Sequence, residues 1–386
     1  MAGPAVILTP EQEAARDLAR QFARDKLAPL ADARDESAQF PREVFGELGQ
    51  LGFLGMTVPE EWGGAGLDFV AYALALEEIS AGDGAVATVM SGHNSVGCMP
   101  LLEYGSEAQK TRYLRPLARG ELLCCFCLTE AQGGSDAGAI KSRAKREGDG
   151  FVLTGGKQFI TTGANADLAL VFAVTDPAAG KRGISAFLVP TDAKGYRVVR
   201  VEKKMGQNAS DTAELAFDDI RLSADALLGK EGQGYRIALA NLEGGRIGIA
   251  AQAVGMARAA LEHAIAYAGE RRSMGKVIAG YQAVSFRLAD MATAVEAARE
   301  LVLHAAALKS ADRPALKEAS MAKLFATEMA ERVASDAVQT FGGYGYVRGQ
   351  AVERIYRAVR GCKIYEGTND IQRLVIARAL TGHLAN

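Results

Sequence analysis

Residues 122–129 read Leu122-Leu123-Cys124-Cys125-Phe126-Cys127-Leu128-Thr129, and there the character of the chain changes. Short apolar runs separated by turn residues follow: AKR (144–146) and FVLTG (151–155), joined across Glu147-Gly148-Asp149-Gly150, then ALVFAV (169–174), ISAFLVP (184–190), YRVVRV (196–201) and AELAF (213–217). Runs of this length between Gly, Asp and Pro are strand-sized and too short for stable helices. They predict a small antiparallel β-domain that ends near Asp218.

On either side the pattern is helical. Thr9-Pro10-Glu11-Gln12 combines a capping residue, Pro at the first helical position and Gln three residues after the cap, so a helix starts there and runs toward Leu27. Phe40-Pro41-Arg42 opens a second helix, and the three glycines of EEWGGAGLD (60–68) break any periodicity. Helices are predicted over residues 69–80, 85–104 and 107–119. After Gly234 long helices return over 235–271, 281–309 and 315–341, with a shorter one from Gln350. Frequent Ala lets such helices pack closely, as in a four-helix bundle. The reading is an α+β protein of three domains: helical over 1–121, β over 122–233 and a helical bundle over 234–386.

With 386 residues, 49% of them apolar and 23% charged, the chain has ample material for a core. A formal net charge of −2, without a basic stripe or acidic tail, argues against nucleic acid or a membrane surface as partner and for a small molecule. The five cysteines are Cys98, Cys124, Cys125, Cys127 and Cys362. On a strand, Cys125 and Cys127 share one face and Cys124 takes the other, which suits a buried apolar strand better than a metal site. The four histidines, His93, His263, His304 and His383, are scattered, so no metal ligand set is read. The N-terminal MAGPAVILTPEQEAARD lacks a basic stretch ahead of its short apolar run, and no run of about 18 apolar residues exists. The expectation is a reduced protein of the cytoplasm or an organelle matrix, neither secreted nor inserted in a membrane. Gly63-Gly64-Ala65-Gly66 and Gly342-Gly343-Tyr344-Gly345 lack the spacing and context of a dinucleotide fingerprint, although Gly342 and Gly343 would let the backbone approach a ligand closely.

Near the C-terminus stands CKIYEGTNDIQR (362–373). Gly367 breaks a helix and Thr368 is a residue type that begins one, so Glu366 falls on a short interhelical loop. From there a carboxylate can reach a buried substrate.

Several segments together resemble the acyl-CoA dehydrogenase family: Cys127-Leu128-Thr129-Glu130 with Gly133-Gly134-Ser135-Asp136, then GGKQFITTGANAD, GISAFLVP, MGQNASDTAEL, LEGGRIGIAAQAVG, ERRSMGK, YQAVSFRLADMA, QTFGGYGY and IYEGTNDIQRLVIA. Each is weak alone, but in order they span almost the whole chain. The resemblance implies FAD held between β-domain and bundle, a homotetramer, and α,β-dehydrogenation of an acyl-CoA with electrons passed to electron-transfer flavoprotein. Glu366 matches the base that takes the α-proton. The alternative base position of some members, just before Arg246, is Gly245 here and cannot serve. For the flavin the resemblance implies Phe126, Leu128, Thr129 and Ser135 on the first strand and loop, with Phe159, Ile160 and Thr161 at the ring. From the bundle it implies Arg271 and Gln282 toward the pyrophosphate, then Gln339, Thr340, Phe341, Gly342 and Gly343, and Thr368, Asn369 and Asp370. Ser135, Glu243, Gly244, Gly245, Arg246 and Gly367 match acyl-CoA contacts, Glu243 toward the CoA moiety.

Short-chain and short branched-chain members are the nearest in feel, through GGRIGIAAQAVG and SFRLADMA, and small Gly244 and Gly245 would leave room for a branch near the α-carbon. An oxygen-using oxidase of this fold usually carries a further C-terminal domain, and a non-oxidative lyase or desulfinase typically loses the base. Four positions depart from the family pattern: Met274 for an aromatic residue, Phe159 for Trp, Asn208 for a basic residue, and Ala358 where an Asp usually follows the Arg. The last would remove a carboxylate that structures the approach to Glu366.

Overall fold

The computed structural model describes residues 7–382. The apolar run weighed as a leader begins in residues 1–6, and His383 falls in 383–386; both lie outside the described residues. The N-terminal helices are α1 (Pro10–Phe22), α2 (Ala31–Ser37), α3 (Arg42–Gln50), α4 (Phe69–Gly82), α5 (Gly84–Gly92), α6 (Met99–Tyr104), α7 (Glu107–Gln109) and α8 (Arg115–Ala118). The cap of α1 is reciprocal: Thr9 Oγ1 accepts from Gln12 N–H at 3.3 Å and Gln12 Oε1 accepts from Thr9 N–H at 3.0 Å. Helical backbone continues in wider turns to Leu27.

The strands are β1 (Cys124–Cys127), β2 (Arg143–Glu147), β3 (Gly150–Thr161), β4 (Leu168–Val174), β5 (Ile184–Pro190), β6 (Tyr196–Val201), β7 (Thr212–Leu222) and β8 (Leu227–Leu228). They form one sheet in the order β6-β7-β3-β2-β4-β5-β8, with β1 also on β4. Gly148 and Asp149 turn the β2–β3 hairpin, whose register closes at Glu147 against Gly150. One expectation changes: the sheet is mixed, because β1 pairs parallel to β4 from Cys124 opposite Leu168 to Cys127 opposite Val171. A parallel pair needs a crossover, here the whole β2–β3 hairpin, and an apolar run carries no mark of strand direction. Past Asp218 the strands continue through β7 to Leu222 and on to β8, within the expected span 122–233.

Strand β4 shows why its sequence reads as an unbroken apolar run. Leu168, Leu170 and Phe172 face a cluster with Leu101, Leu114 and Leu117 of the helical domain, while Ala169, Val171 and Ala173 face the sheet's own interior with Phe151, Phe187 and Phe217. A strand buried on both faces has no polar side to alternate with. Cys124 joins the first cluster and Cys125 and Cys127 the second, their Sγ atoms 3.6 Å apart.

The bundle comprises α9 (Gly234–Ala240), α10 (Leu242–Glu270), α11 (Gln282–Ser310), α12 (Leu316–Phe341), α13 (Ala351–Cys362) and α14 (Asn369–Thr381), with a small hairpin, β9 (Arg272–Ser273) and β10 (Lys276–Val277), before α11. The single helix expected from residue 235 is broken at Asn241 (φ −101°, ψ 8°), a residue type whose amide competes with helical hydrogen bonding. Helix α10 is the axis, packing on α4, α11, α12 and α13. At Gly255 an added Cβ would lie 2.0 Å from the Glu77 carbonyl oxygen, so α10 and α4 meet backbone to backbone there. Glu77 and Glu78 are buried at this seam and paired, with Arg299 at 2.7 Å and Arg258 at 2.7 Å respectively, as buried charges must be.

The far end of the N-terminal domain is tied to α13. Arg357 contacts Asp35 at 2.8 Å, and Asn208 N–H donates to the same carboxylate at 3.2 Å. Ala358 is buried and its carbonyl accepts from Gln207 Nε2 at 2.9 Å. Gln207 and Asp35 therefore fasten α13 where a carboxylate at position 358 was expected to.

Candidate active site

Glu366 lies on the loop between α13 and α14, with Thr368 capping α14 through Ile371 N–H. Both Glu366 (φ 54°) and Gly367 (φ 80°) take left-handed backbone. For Gly that costs little; for Glu it is a strained conformation held by its surroundings. Gln372 Nε2 donates to the Glu366 carbonyl at 3.2 Å and to the Gly367 carbonyl at 2.8 Å, and Lys323 Nζ donates to the latter at 2.9 Å. The N–H groups of Glu366, Gly367 and Thr368 have no acceptor among the described residues.

The Glu366 side chain forms part of the wall of a cavity of about 470 Å³ between the sheet and the helices. Val89, Val96 and Ile249 give it an apolar wall, and Glu366 is its only carboxylate among the described residues. Burial raises the pKa of Glu366, opposed by the nearby cations Arg246 and Lys323. One oxygen of Glu366 would stand 2.8 Å from a Cβ placed on Gly245. The space at Gly244 is likewise taken, since a Cβ there would meet the Phe69 ring at 3.1 Å. The two glycines therefore admit the base and an aromatic ring. Thr88 and Tyr365 also line the cavity. Gln207 Nε2 donates to the Tyr365 hydroxyl at 2.9 Å, and Gln252 Nε2 to Thr88 Oγ1 at 2.6 Å.

The residues singled out from sequence fall in three places. Phe126, Thr129, Ser135, Phe159, Ile160, Thr161, Gly367 and Thr368 line the Glu366 cavity. Phe159 is 62% exposed because a bulge in the β3–β7 pairing, with φ 58° at Phe159, turns it outward. Arg271, Thr340, Phe341, Gly342 and Gly343 line a separate groove with Tyr267 and Tyr344, and no residue lines both. The rest line neither. Gln282 and Gln339 are exposed, and Asp370 reaches toward Arg373 at 3.3 Å. Glu243 pairs with Lys309 at 3.3 Å, while Arg246 is buried, with Nη1 donating to Ser320 Oγ at 3.1 Å. Asn369 is buried and turns its amide to Lys323, Thr327 and Glu328.

Leu128 also lies outside the cavity lining, but its carbonyl accepts from Lys157 Nζ at 3.2 Å. Lys157 in turn contacts Glu130 at 2.8 Å, both side chains being buried. Burial acts to raise the Glu130 pKa, yet Lys157 and the Lys141 and Ser142 N–H groups prevail and hold it at about 2. Gln158 N–H donates to the Thr129 carbonyl at 2.9 Å, so the Leu128–Thr129 backbone is pinned from β3. Sequence reasoning passed over this pair and Lys323; their signal is a Lys within a buried apolar stretch, Lys157 on β3 and Lys323 among the alanines of α12.

Models of the acyl-CoA dehydrogenase N-terminal, middle and C-terminal domains match residues 9–121, 125–220 and 232–381. The chain belongs to the acyl-CoA dehydrogenase family. It is 47% identical over 365 residues to the human mitochondrial short-chain specific acyl-CoA dehydrogenase, covering 95% of this chain and 88% of that one. Butyryl-CoA dehydrogenase from Megasphaera elsdenii superposes with a TM-score of 0.95 at 41% identity, covering 98% of this chain and all of that one. A chain in a structure of the electron transferring flavoprotein of Acidaminococcus fermentans superposes with a TM-score of 0.96 at 44% identity, with the same coverage. The acyl-CoA dehydrogenase fold and an FAD-dependent oxidoreductase activity follow for this chain. Its own residues fit that cofactor. The cavity offers uncharged hydroxyls at Thr129, Ser135 and Thr161, free backbone N–H groups at 366–368 and no carboxylate beside Glu366 to repel an electron-rich ring. Among the described residues no helix is long and apolar enough to cross a membrane.

Proposed function

We propose that this acyl-CoA dehydrogenase removes the α- and β-hydrogens of a short, straight-chain acyl-CoA, with Glu366 as the base. The observation that carries the reading is the Glu366 carboxylate: among the described residues the sole acid of a largely apolar cavity, with raised pKa, against a glycine that leaves it room. In its ionised form the Glu366 oxygen takes the α-proton, and the C–H electron pair moves toward the thioester carbonyl. The free N–H of Glu366 meets the charge that develops on the thioester oxygen, the kind of preset donor that stabilises an enolate. FAD, when bound, supplies the acceptor for the hydride leaving the β-carbon. Phe126, Leu128, Thr129 and Ser135 would hold it from one side and Phe159 to Thr161 from the other. The Arg271 groove, with Gln282 and Gln339 to Gly343, would hold its pyrophosphate end, and Thr368 to Asp370 would meet it mainly through backbone. Glu243, Gly244, Arg246 and Gly367 would flank the acyl-CoA.

The short chain is supported by the names of the human and Megasphaera relatives. Similarity to the Acidaminococcus chain supports electron-transfer flavoprotein as acceptor. Because the Arg271 groove is separate from the Glu366 cavity, we read the working form as a homotetramer in which a neighbour completes the cofactor site; sedimentation with and without FAD tests this. The cytoplasm or an organelle matrix is the proposed location. Anaerobic titration with butyryl-, isobutyryl- and octanoyl-CoA tests the reaction. Butyryl-CoA should bleach the flavin at the lowest concentration. Bleaching by none would overturn the function, and fast peroxide formation in air would make the protein an oxidase.

A further inference from the structure

Lys323 sits in the middle of α12 and is 0% exposed, on a buried stripe with Ser320 and Thr327 among alanines. Its ammonium contacts two neutral oxygens, the Gly367 carbonyl at 2.9 Å and Asn369 Oδ1 at 3.0 Å. Among the described residues it makes no salt bridge. A buried cation with no contacting counter-ion is costly, and an apolar residue of similar volume would pack there at no such cost. The fold nevertheless keeps it, directly behind the loop that carries Glu366.

Its placement has two consequences. The 367–368 peptide is trans, so its N–H points opposite to its C=O. With Lys323 and Gln372 holding the Gly367 carbonyl on one side, the Thr368 N–H is turned to the other, where it meets no acceptor among the described residues. Second, the groups that face Lys323 are Cys362, Glu366, Arg246, Glu328 and the Asn369 amide. Glu328 is already engaged by Lys363 at 2.7 Å and Arg373 at 3.2 Å, which leaves Glu366 as the acid on which the Lys323 charge acts.

We propose that Lys323 is a positioning residue of the reaction: it fixes the Gly367 peptide with the Thr368 N–H toward the cavity, and its charge keeps the neighbouring Glu366 carboxylate ionised and ready to accept a proton. This rests on Glu366 being the base. Burial lowers the Lys323 pKa to about 8, against the pull of Cys362 and Glu366, so at neutral pH the ammonium remains charged.

The test uses FAD-loaded full-length Lys323→Met and Lys323→Gln, the second keeping a donor for the Gly367 carbonyl without the charge. In both, the acid limb of kcat/KM for butyryl-CoA should move up by about one pH unit, since loss of an adjacent cation makes Glu366 harder to ionise. Acetoacetyl-CoA, which enolises but has no hydride on its β-carbon to lose, reads the loop that Lys323 anchors at the Gly367 carbonyl, since its enolate oxygen would meet the Glu366 N–H of that same loop. Its affinity should fall about tenfold in the Met variant and less in the Gln variant, in line with one lost charge-assisted contact. Yellow, folded variants with an unmoved acid limb and unchanged acetoacetyl-CoA binding would overturn the proposal. So would variants that neither fold nor hold FAD, since Lys323 would then serve the fold alone. Wild-type enzyme that butyryl-CoA fails to bleach would instead defeat the assignment of Glu366.

Discussion

The Glu366 carboxylate occupies the space that a side chain on Gly245 would need: a Cβ there would fall 2.8 Å from one carboxylate oxygen and 3.1 Å from its carbon. Helix α10 and the α13–α14 loop can approach this closely because position 245 is bare. Gly245→Ala should therefore displace the acid without touching the cofactor-side residues. We expect kcat with butyryl-CoA to fall about tenfold or more while FAD content is retained, in keeping with the penalty for small misplacement of a reacting group. Unchanged kcat would show that the loop moves freely.

Glu366→Gln removes the proton acceptor and keeps the volume. Dehydrogenation should drop by roughly 10²-fold or more, the usual scale of a general-base contribution. The sign of the pH dependence follows from the raised pKa: a base must be ionised to act, so kcat/KM rises with pH through a value above the ordinary carboxylate range. Stopped-flow rates of flavin bleaching across the acid range read this directly, and an acid limb at or below about 4.3, the free Glu value, would contradict it.

The Glu130–Lys157 pair holds the Leu128 carbonyl, so Lys157→Met should loosen the loop and strand a buried carboxylate. Loss of one partner of such a pair costs about 3–5 kcal/mol. Tm should fall and FAD should leave more readily on dilution, and Glu130→Gln in the same chain should restore part of both. The folded pKa of Glu130 is depressed, so its contribution is complete above the unfolded value near 4.5 and is lost as pH falls toward about 2. If the double variant is no better than Lys157→Met, the pair is not what fails.

Gln252 Nε2 donates to the hydroxyl of Thr88, a lining residue of the cavity, at 2.6 Å. Gln252→Ala should open depth there and raise the octanoyl-to-butyryl ratio of kcat/KM about tenfold or more, since each methylene admitted to an apolar pocket is worth roughly 1–3 kcal/mol. A ratio that stays fixed would place the chain-length limit elsewhere.

The fold is legible in the sequence wherever burial leaves a period. LALVFAV and ISAFLVP read as strands because both faces are covered, and the Thr9 cap and the Gly367-Thr368 break mark helix ends in local chemistry. Strand direction leaves no such trace, which is why parallel β1 went unread. The break at Asn241 is one residue of tertiary preference inside a helical pattern. Of the site, the motif resemblance points to Glu366, while Lys323, in an Ala-rich helix that also carries Lys317, reads as a solvated charge. Only the Ser320, Lys323 and Thr327 spacing, three and four residues apart within alanines, hints that this helix face is buried.

Asp32 and Asp35 near the start of the chain find their partners, Arg354 and Arg357, near its end; the first pair spans 322 residues. A ribosome builds the acids long before the arginines exist, and domains generally fold as they emerge. The N-terminal helices must then wait, with one edge uncompleted, through synthesis of the entire sheet. When α13 arrives it closes that edge and delivers Glu366 a few residues later, so chemistry is withheld until both the sheet and the long helices of the bundle have been made.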